Sequence, residues 1–200
     1  MRLDTEAEID VTEIACRQVL TKDQPIFSIQ WVVIPGTTPL RMTSSGLMEI
    51  YLRHIRRVTL TMVRPTYTEN SLEFRLGKSS IPLIKFNLPV HDATVKGNRT
   101  SLCICGGFLV QPGECHRGQM DFTVEQVEDG TRLTLRLSDY CPLLLGSERP
   151  SLWRKWLYLL TQGYIHKILT VRFLAMVYRQ LTGARPKTKV IKVAQLRGEK

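Results

Sequence analysis

Short segments of alternating apolar and polar residues run through the middle of this 200-residue chain, and they constrain its fold more than any other feature. A repeat of two residues places alternate side chains on opposite faces of a β-strand. The strongest example lies between Met120 and Leu137, where two alternating segments flank Asp129-Gly130. This dipeptide suits the positive φ angles of a tight hairpin turn, so the pattern predicts a β-hairpin with one buried face.

Further alternating segments predict more strands of the same kind. Turn-forming residues, among them Pro65, Gly77 and Pro89, separate the segments. Because the connections are short and contain no helical pattern, we expect an antiparallel sheet. The apolar faces are Val58, Leu60 and Met62, then Leu72, Phe74 and Leu76, then Ile84, Phe86 and Leu88, and a longer strand is expected over residues 101–110.

The first quarter of the chain has a less regular pattern. Residues 3–11 alternate and predict a strand, after which Thr12 can cap a short helix over residues 13–20. Residues 25–34 are apolar and typical of a strand, although a helix stays open there, and residues 46–55 are equally ambiguous. The face expected to be apolar in the 25–34 strand consists of Phe27, Ile29, Trp31 and Val33.

A long amphipathic helix is predicted between Ser151 and Leu181, because apolar residues recur there at spacings of three and four. Gly183 and Pro186 end it. Leu169, Phe173, Met176 and Val177 fall on its opposite face, where a loop, a second subunit or a membrane surface is expected to cover them. The buried stripe is Trp153, Trp156, Leu157, Leu160, Tyr164, Ile168, Val171, Leu174, Ala175 and Tyr178.

The positive charge is confined to the C-terminal quarter. Residues 1–150 hold 17 basic and 17 acidic side chains, whereas residues 151–200 hold 11 basic side chains and one acid, Glu199. Residues 184–200 are expected to form a mobile basic tail behind one domain of residues 1–183. Such a tail suits transient contact with an anionic membrane surface, and a solvated tail or a nucleic-acid partner are the alternatives.

Cysteine usage and hydropathy indicate the compartment. The start of the chain is acidic and has no apolar core of a signal peptide, and no uncharged apolar run reaches the length of a membrane span. The five cysteines are therefore expected to be reduced thiols in a cytoplasmic protein, peripheral to a membrane if the basic tail docks there.

Two polar clusters contain residue types with chemical potential. Cys103, Cys105, Cys115 and His116 could in principle hold zinc, but their spacing differs from that of structural zinc sites, and small buried thiols are the favoured interpretation. Glu114 and His116 are the weak candidates for an acid–base pair. Glycine motifs for phosphate are absent, and we expect neither a cofactor nor a metal.

The order of elements resembles the helix-grip fold of START domains, Bet v 1-like proteins and polyketide cyclases. These families share a strand, short helical segments, a run of antiparallel strands and a long closing helix. The resemblance also rests on the stretch from Gly106 to Val110, followed by Gly118, Phe122 and Val124 in a G-x-x-x-F-x-V strand. The fold class expected is α+β, with a curved antiparallel sheet that grips the C-terminal helix.

The resemblance implies a cavity between sheet and helix that binds lipids, sterols or similar hydrophobic molecules. It carries no universal catalytic residues, so binding is favoured over catalysis. A cyclase or hydratase that uses Glu114 and His116 is the enzymatic alternative, and a basic nucleic-acid-binding protein is the other. Candidate wall residues are Phe108, Phe122 and Leu135 from the sheet, with Trp156, Leu160 and Tyr164 from the helix.

Overall fold

In the described part of the chain, an open, curved and mainly antiparallel sheet carries two helices, which gives an α+β architecture. The computed structural model describes residues 13–20, 26–36, 41–110, 118–140 and 164–190. The helices are α1 (Ser44–Val58) and α2 (Tyr164–Thr182). The strands are β1 (Glu13–Leu20), β2 (Ile26–Pro35), β3 (Val63–Tyr67), β4 (Ser71–Leu76), β5 (Pro82–Asn87), β6 (Val90–Thr94), β7 (Gly97–Gly106), β8 (Gln119–Val127), β9 (Gly130–Tyr140) and β10 (Lys187–Val190).

Nine strands follow a continuous path in the order β10-β1-β2-β9-β8-β7-β5-β4-β3, and β6 pairs with β7 beside that path. Neighbours are antiparallel except β1 and β10, which run parallel. β5 and β6 both pair with β7, one with its second half and the other with its first half. Pro89 lies in the break between them, where a residue without an N–H interrupts the ladder.

Both helices lie on one face of the sheet. The Thr43 side chain caps α1 by accepting a hydrogen bond from the Gly46 N–H at 3.1 Å. α1 packs on β3, β7 and β8, α2 packs on β1 and β2, and the two helices contact each other. The core therefore forms one continuous layer between the sheet and the helix pair.

The predicted strands in the middle of the chain are confirmed where the alternation is longest. The hairpin of β8 and β9 turns at Glu128 and Asp129, and β4 and β5 occupy the segments expected for them. Leu76 and Leu88, which were expected on the apolar faces of these strands, are exposed instead. The strand predicted over residues 101–110 ends earlier than expected, because β7 stops at Gly106. Gly107, at φ 120°, then comes so close to β5 that an added Cβ would lie 2.6 Å from the Leu83 carbonyl oxygen.

The helix predicted over residues 13–20 is wrong, since this segment forms strand β1. Pairing with β2 on one side and β10 on the other satisfies its backbone along the sheet. A helix of two turns is marginal without such support, because helix nucleation is costly. Ile14, Ala15 and Cys16 are all buried, so both faces of the strand are covered and the period of two is lost.

The strand predicted from Val58 to Met62 is also wrong. The ambiguous segment at 46–55 belongs to α1, which continues to Val58, and residues 59–62 form the turn that precedes β3. Leu60 and Met62 are exposed there. Alternation over only five residues did not outweigh the capped helix before it.

The other ambiguous segment is a strand, but its most deeply buried face is the one opposite to the face expected. Ser28, Gln30, Val32 and Ile34 are buried, whereas Phe27, Ile29, Trp31 and Val33 are only half-buried. The first set faces the helices, because Val32 lies in register with Leu133 in the core.

The C-terminal helix is confirmed from Tyr164 to Thr182, and its earlier part lies outside the described residues. The expected division of its faces is wrong at Phe173 and Val177, which are buried together with Leu174 and Tyr178. α1 supplies the reason, since the Phe173 ring packs against Tyr51 and His54. A second helix thus covers side chains that one sheet could not reach.

The expected mobile tail differs at its start, because Lys187–Val190 form strand β10 beside β1. Residues 191–200 lie outside the described residues, as do the predicted strand at 3–11 and its cap Thr12. Among the described helices, none has the length and apolar character needed to cross a membrane.

Candidate ligand-binding site

One row of side chains crosses five strands on the helix-facing side of the sheet. Backbone register joins Cys16 to Gln30, Gln30 to Leu135, Leu135 to Phe122, and Phe122 to Thr100. All five residues are buried. Neighbouring strands lie about 4.8 Å apart, so the row extends across the sheet from β1 to β7. Gln30 and Thr100 lie on either side of the two apolar residues in the row.

Gln30 is the unusual member of this row. Its Nε2 donates to Ser28 Oγ at 2.6 Å and points to Cys16 Sγ at 3.7 Å. Its Oε1 is buried and has no hydrogen-bond partner in the part of the chain that the structure describes, and the Gln30 side chain is 0% exposed. An unpaired buried carbonyl oxygen costs about 1–3 kcal/mol, so its presence in an apolar layer needs an explanation.

The helices complete the wall opposite the sheet. The Tyr51 ring lies 5.4 Å from the Phe122 ring and 5.1 Å from the Phe173 ring, measured between centroids. Burial raises the pKa of Tyr51 to about 12, although a hydrogen bond with the Thr170 side chain opposes the shift. Tyr51 is therefore a neutral hydroxyl that joins α1 to α2 at physiological pH.

His54 follows Tyr51 by one helical turn and adds a second buried polar group. It is 8% exposed, its ring lies 5.6 Å from the Phe173 ring, and neither ring nitrogen makes a hydrogen bond of good geometry with another described residue. Burial lowers its pKa, and the charges of Arg57 and Arg172 lower it further, against a weaker interaction with the Leu169 backbone. The imidazole is thus held neutral between the two helices.

The polar cluster on the outer face of the sheet serves the fold instead. Asp121 is 1% exposed, but its carboxylate accepts hydrogen bonds from Ser101 at 2.7 Å, Gln119 at 2.6 Å and Arg136 Nε at 2.9 Å. These contacts tie β7, β8 and β9 together. Because the buried carboxylate is fully paired, nothing about it calls for a ligand.

Among the described residues, the structure brings two of the predicted wall residues together. Phe122 and Leu135 face each other in the row between Gln30 and Thr100. Phe108 lies elsewhere, since it follows the end of β7 and is 63% exposed. Tyr164 is the first residue of α2, whereas Trp156 and Leu160 lie outside the described residues.

The candidates for other chemistry are placed as follows. Glu114, Cys115 and His116 lie outside the described residues. Cys103 and Cys105 are half-buried on the outer face of β7, as a strand with Leu102 and Ile104 turned inward requires. Within the described part of the chain, no group of His, Cys, Asp or Glu side chains could hold a metal ion.

Sequence reasoning missed Gln30, Tyr51 and His54. Ser28 and Gln30 were available as a signal, since two polar residues two apart in an apolar strand share one face. The expectation of an apolar face at Phe27, Ile29, Trp31 and Val33 leaves them on the opposite face of the strand, since polar residues usually lie at the surface. Tyr51 and His54 share a helix face at a spacing of three, but the helix itself was ambiguous in the sequence.

Comparison with known proteins adds no family. No family model matches the sequence, and no curated protein matches it.

Proposed function

We propose that the protein binds a hydrophobic small molecule or lipid between the helix-facing side of the sheet and the C-terminal helix α2. The observation that carries the proposal is the buried Gln30 amide, whose oxygen is unpaired in a row that continues into Leu135 and Phe122. A mostly apolar ligand with one hydroxyl fits this wall. The hydroxyl can donate to an amide oxygen and accept from an amide N–H, while the remainder lies against apolar side chains.

The order of elements supports the helix-grip assignment on which the proposal draws. A strand (β2) precedes a helix (α1), a run of antiparallel strands follows, and a second helix (α2) lies across the same face of the sheet. β2 pairs directly with β9, the last described strand before α2, so the first and last strands of this described unit are neighbours in the sheet. A site under α2 is therefore next to β2, at the beginning of this unit, and next to β9, near its end.

Native mass spectrometry of the purified protein tests the proposal. We expect the wild-type protein to carry a hydrophobic adduct, and we expect Gln30→Met to lose most of it. Methionine has nearly the same length as glutamine but offers no partner to a hydroxyl. Thermal stability should change little, by about 1 kcal/mol or less, because the lost bonds to Ser28 and Cys16 are offset by removal of the unpaired oxygen.

Gln126→Met is the matched control, since Gln126 lies on β8 away from the row and already accepts a hydrogen bond from Thr131. This variant should retain the adduct. An empty wild-type protein, or an adduct that Gln30→Met retains in full, would contradict the proposal. The enzymatic alternative stays a sequence prediction, because Glu114 and His116 lie outside the described residues.

A further inference from the structure

Exposed apolar side chains gather at one end of the sheet, around the turn between α1 and β3. The Met62 carbonyl oxygen accepts from the Gly77 N–H at 2.7 Å, and the Pro82 carbonyl oxygen accepts from the Phe108 N–H at 2.9 Å, so three turns lie side by side. Leu60 is 83% exposed and Met62 62% exposed. The exposed members, here called the apolar tip, are Val58, Leu60, Met62, Leu76, Ile81 and Phe108.

Leu60 occupies a backbone conformation that usually belongs to glycine. The Thr61 N–H donates to the Arg56 carbonyl at 2.7 Å and the Leu60 N–H donates to the Arg57 carbonyl at 3.1 Å, the two hydrogen bonds of a Schellman motif. Leu60 has φ 50° and Thr61 has φ 65°. A branched residue at this position costs folding free energy, and its side chain gains almost no burial in return.

The apolar tip is bordered by positive charge. Residues 53–64 and 75–85 together contain seven basic side chains and no acidic one. Two of the seven are partly neutralised by Glu73, whose carboxylate lies 2.7 Å from Arg75 and 3.8 Å from Lys85. Arg56, Arg57 and Lys78 have no ion pair among the described residues, and Arg56 and Arg57 are exposed in the last turn of α1.

We propose that the apolar tip is a docking surface for an anionic lipid bilayer, with Leu60 and Met62 entering the interface and the surrounding arginines contacting lipid phosphates. Transfer of aliphatic side chains from water to the acyl region is favourable. Basic side chains close to the surface are attracted by anionic headgroups. The turn is held by backbone hydrogen bonds on both sides, so docking requires no folding of the tip.

The composition of the tip favours lipid over nucleic acid. Proteins that bind single-stranded nucleic acid stack bases on aromatic rings along a basic groove. Here the tip is mainly aliphatic, and Phe108 is the one aromatic ring among its members. The proposal stands independently of the ligand site, and it assigns the docking role to a surface other than the basic residues 184–200.

Vesicle co-sedimentation of the full chain tests the docking surface, with vesicles of phosphatidylcholine alone and of equimolar phosphatidylcholine and phosphatidylserine. Wild-type protein is expected to bind the anionic vesicles at low salt and to lose binding at high salt. Leu60→Gly should weaken binding about tenfold, since one leucine no longer enters the interface. The melting temperature of Leu60→Gly should be unchanged or higher, because glycine suits the backbone, whereas a purely structural role for Leu60 would lower it.

Arg56→Gln combined with Arg57→Gln should weaken binding to the anionic vesicles by roughly tenfold or more. Val95→Gly is the matched control, because Val95 is fully exposed in the β6–β7 turn. That turn lies near the other end of α1, where Asn98 Oδ1 accepts from the Ser44 N–H. Val95→Gly should bind vesicles as the wild-type protein does.

Three results would overturn the proposal. The first is a wild-type protein that ignores anionic vesicles, and the second is a Leu60→Gly variant that binds them with unchanged affinity. The third is a loss of binding in Lys192→Gln/Arg197→Gln/Lys200→Gln with none in Leu60→Gly, which would place docking in the C-terminal residues. Binding to single-stranded oligonucleotides that depends on Arg56 and Arg57 but not on Leu60 would assign the surface to nucleic acid instead.

Discussion

Gly36 and Gly130 have nearly the same φ angle, 143° and 144°, but different surroundings. They lie at neighbouring ends of β2 and β9, where Pro35 is in register with Gly130. A Cβ added to Gly36 would meet nothing within 4 Å, whereas a Cβ added to Gly130 would lie 2.0 Å from the Ile34 carbonyl oxygen. The pair thus separates the cost of the backbone angle from the cost of close approach.

Gly36→Ala should lower the free energy of unfolding by about 1 kcal/mol through backbone strain alone. Gly130→Ala should lower it by about 3 kcal/mol, because β2 must also move away from the hairpin. Urea denaturation of both variants measures the difference. Equal losses would show that the contact with Ile34 is relieved at no cost.

His54 makes stability depend on pH in a defined direction. Its folded-state pKa lies below the ordinary value of 6.5, so the unfolded chain binds a proton first as the pH falls. The stability contributed by neutral His54 is therefore complete above pH 6.5 and is lost as the pH falls below that value toward the folded-state pKa. His54→Phe, which retains the contact with Phe173, should lose less stability than the wild-type protein between pH 7.5 and pH 5.5 in urea denaturation. An identical loss in both proteins would contradict the lowered pKa of His54 in the folded protein.

At the scale of elements, the contact between α1 and α2 buries the apolar face of α2 for which the sequence indicated no particular partner. Phe173 and Val177 belong to a helix that is apolar on most of its sides, and one sheet can cover only one side. α1 reaches the remaining side through Tyr51 and His54, which pack against Phe173. This contact joins the half of the sheet under α1 to the half under α2.

Phe173→Ala should therefore cost about 3–5 kcal/mol of unfolding free energy, the range found for large aromatic residues in a core. Phe173→Leu, which fills part of the same volume, should cost less than half of that. The midpoints of urea denaturation measure both losses. A loss below about 1 kcal/mol in the alanine variant would mean that the helices do not depend on this contact.

At the scale of the whole molecule, charge is distributed differently in space and along the chain. Residues 1–150 are neutral by count, but residues 51–100 hold nine basic and three acidic side chains. Several of these basic residues border the apolar tip. Of the acids nearest in sequence, Glu73 pairs with Arg75, Asp92 pairs with Arg99, and Glu49 accepts a hydrogen bond from Tyr67. The apolar tip is therefore bordered by positive charge that does not appear in the charge count of residues 1–150, because acidic residues elsewhere in that part of the chain cancel it.

The sequence alone determined the elements whose pattern is long and whose turn chemistry agrees with it. The hairpin of β8 and β9, strands β4 and β5, and helix α2 from Tyr164 onward follow from periodicity with a turn or stop signal at the end. The same period of two predicts that Phe122 and Leu135 lie on the apolar faces of their strands, and both are buried.

Only the tertiary structure decided the segments whose local pattern fits two conformations. Residues 13–20 became a strand because β2 and β10 supply hydrogen-bond partners from distant parts of the chain. Gln30 came to lie inside because the register with Leu135 determines the face of β2, and a register is a relation between strands that one strand does not contain. Leu60 protrudes because the Schellman turn after α1 turns it away from the core, and that turn depends on where the helix stops.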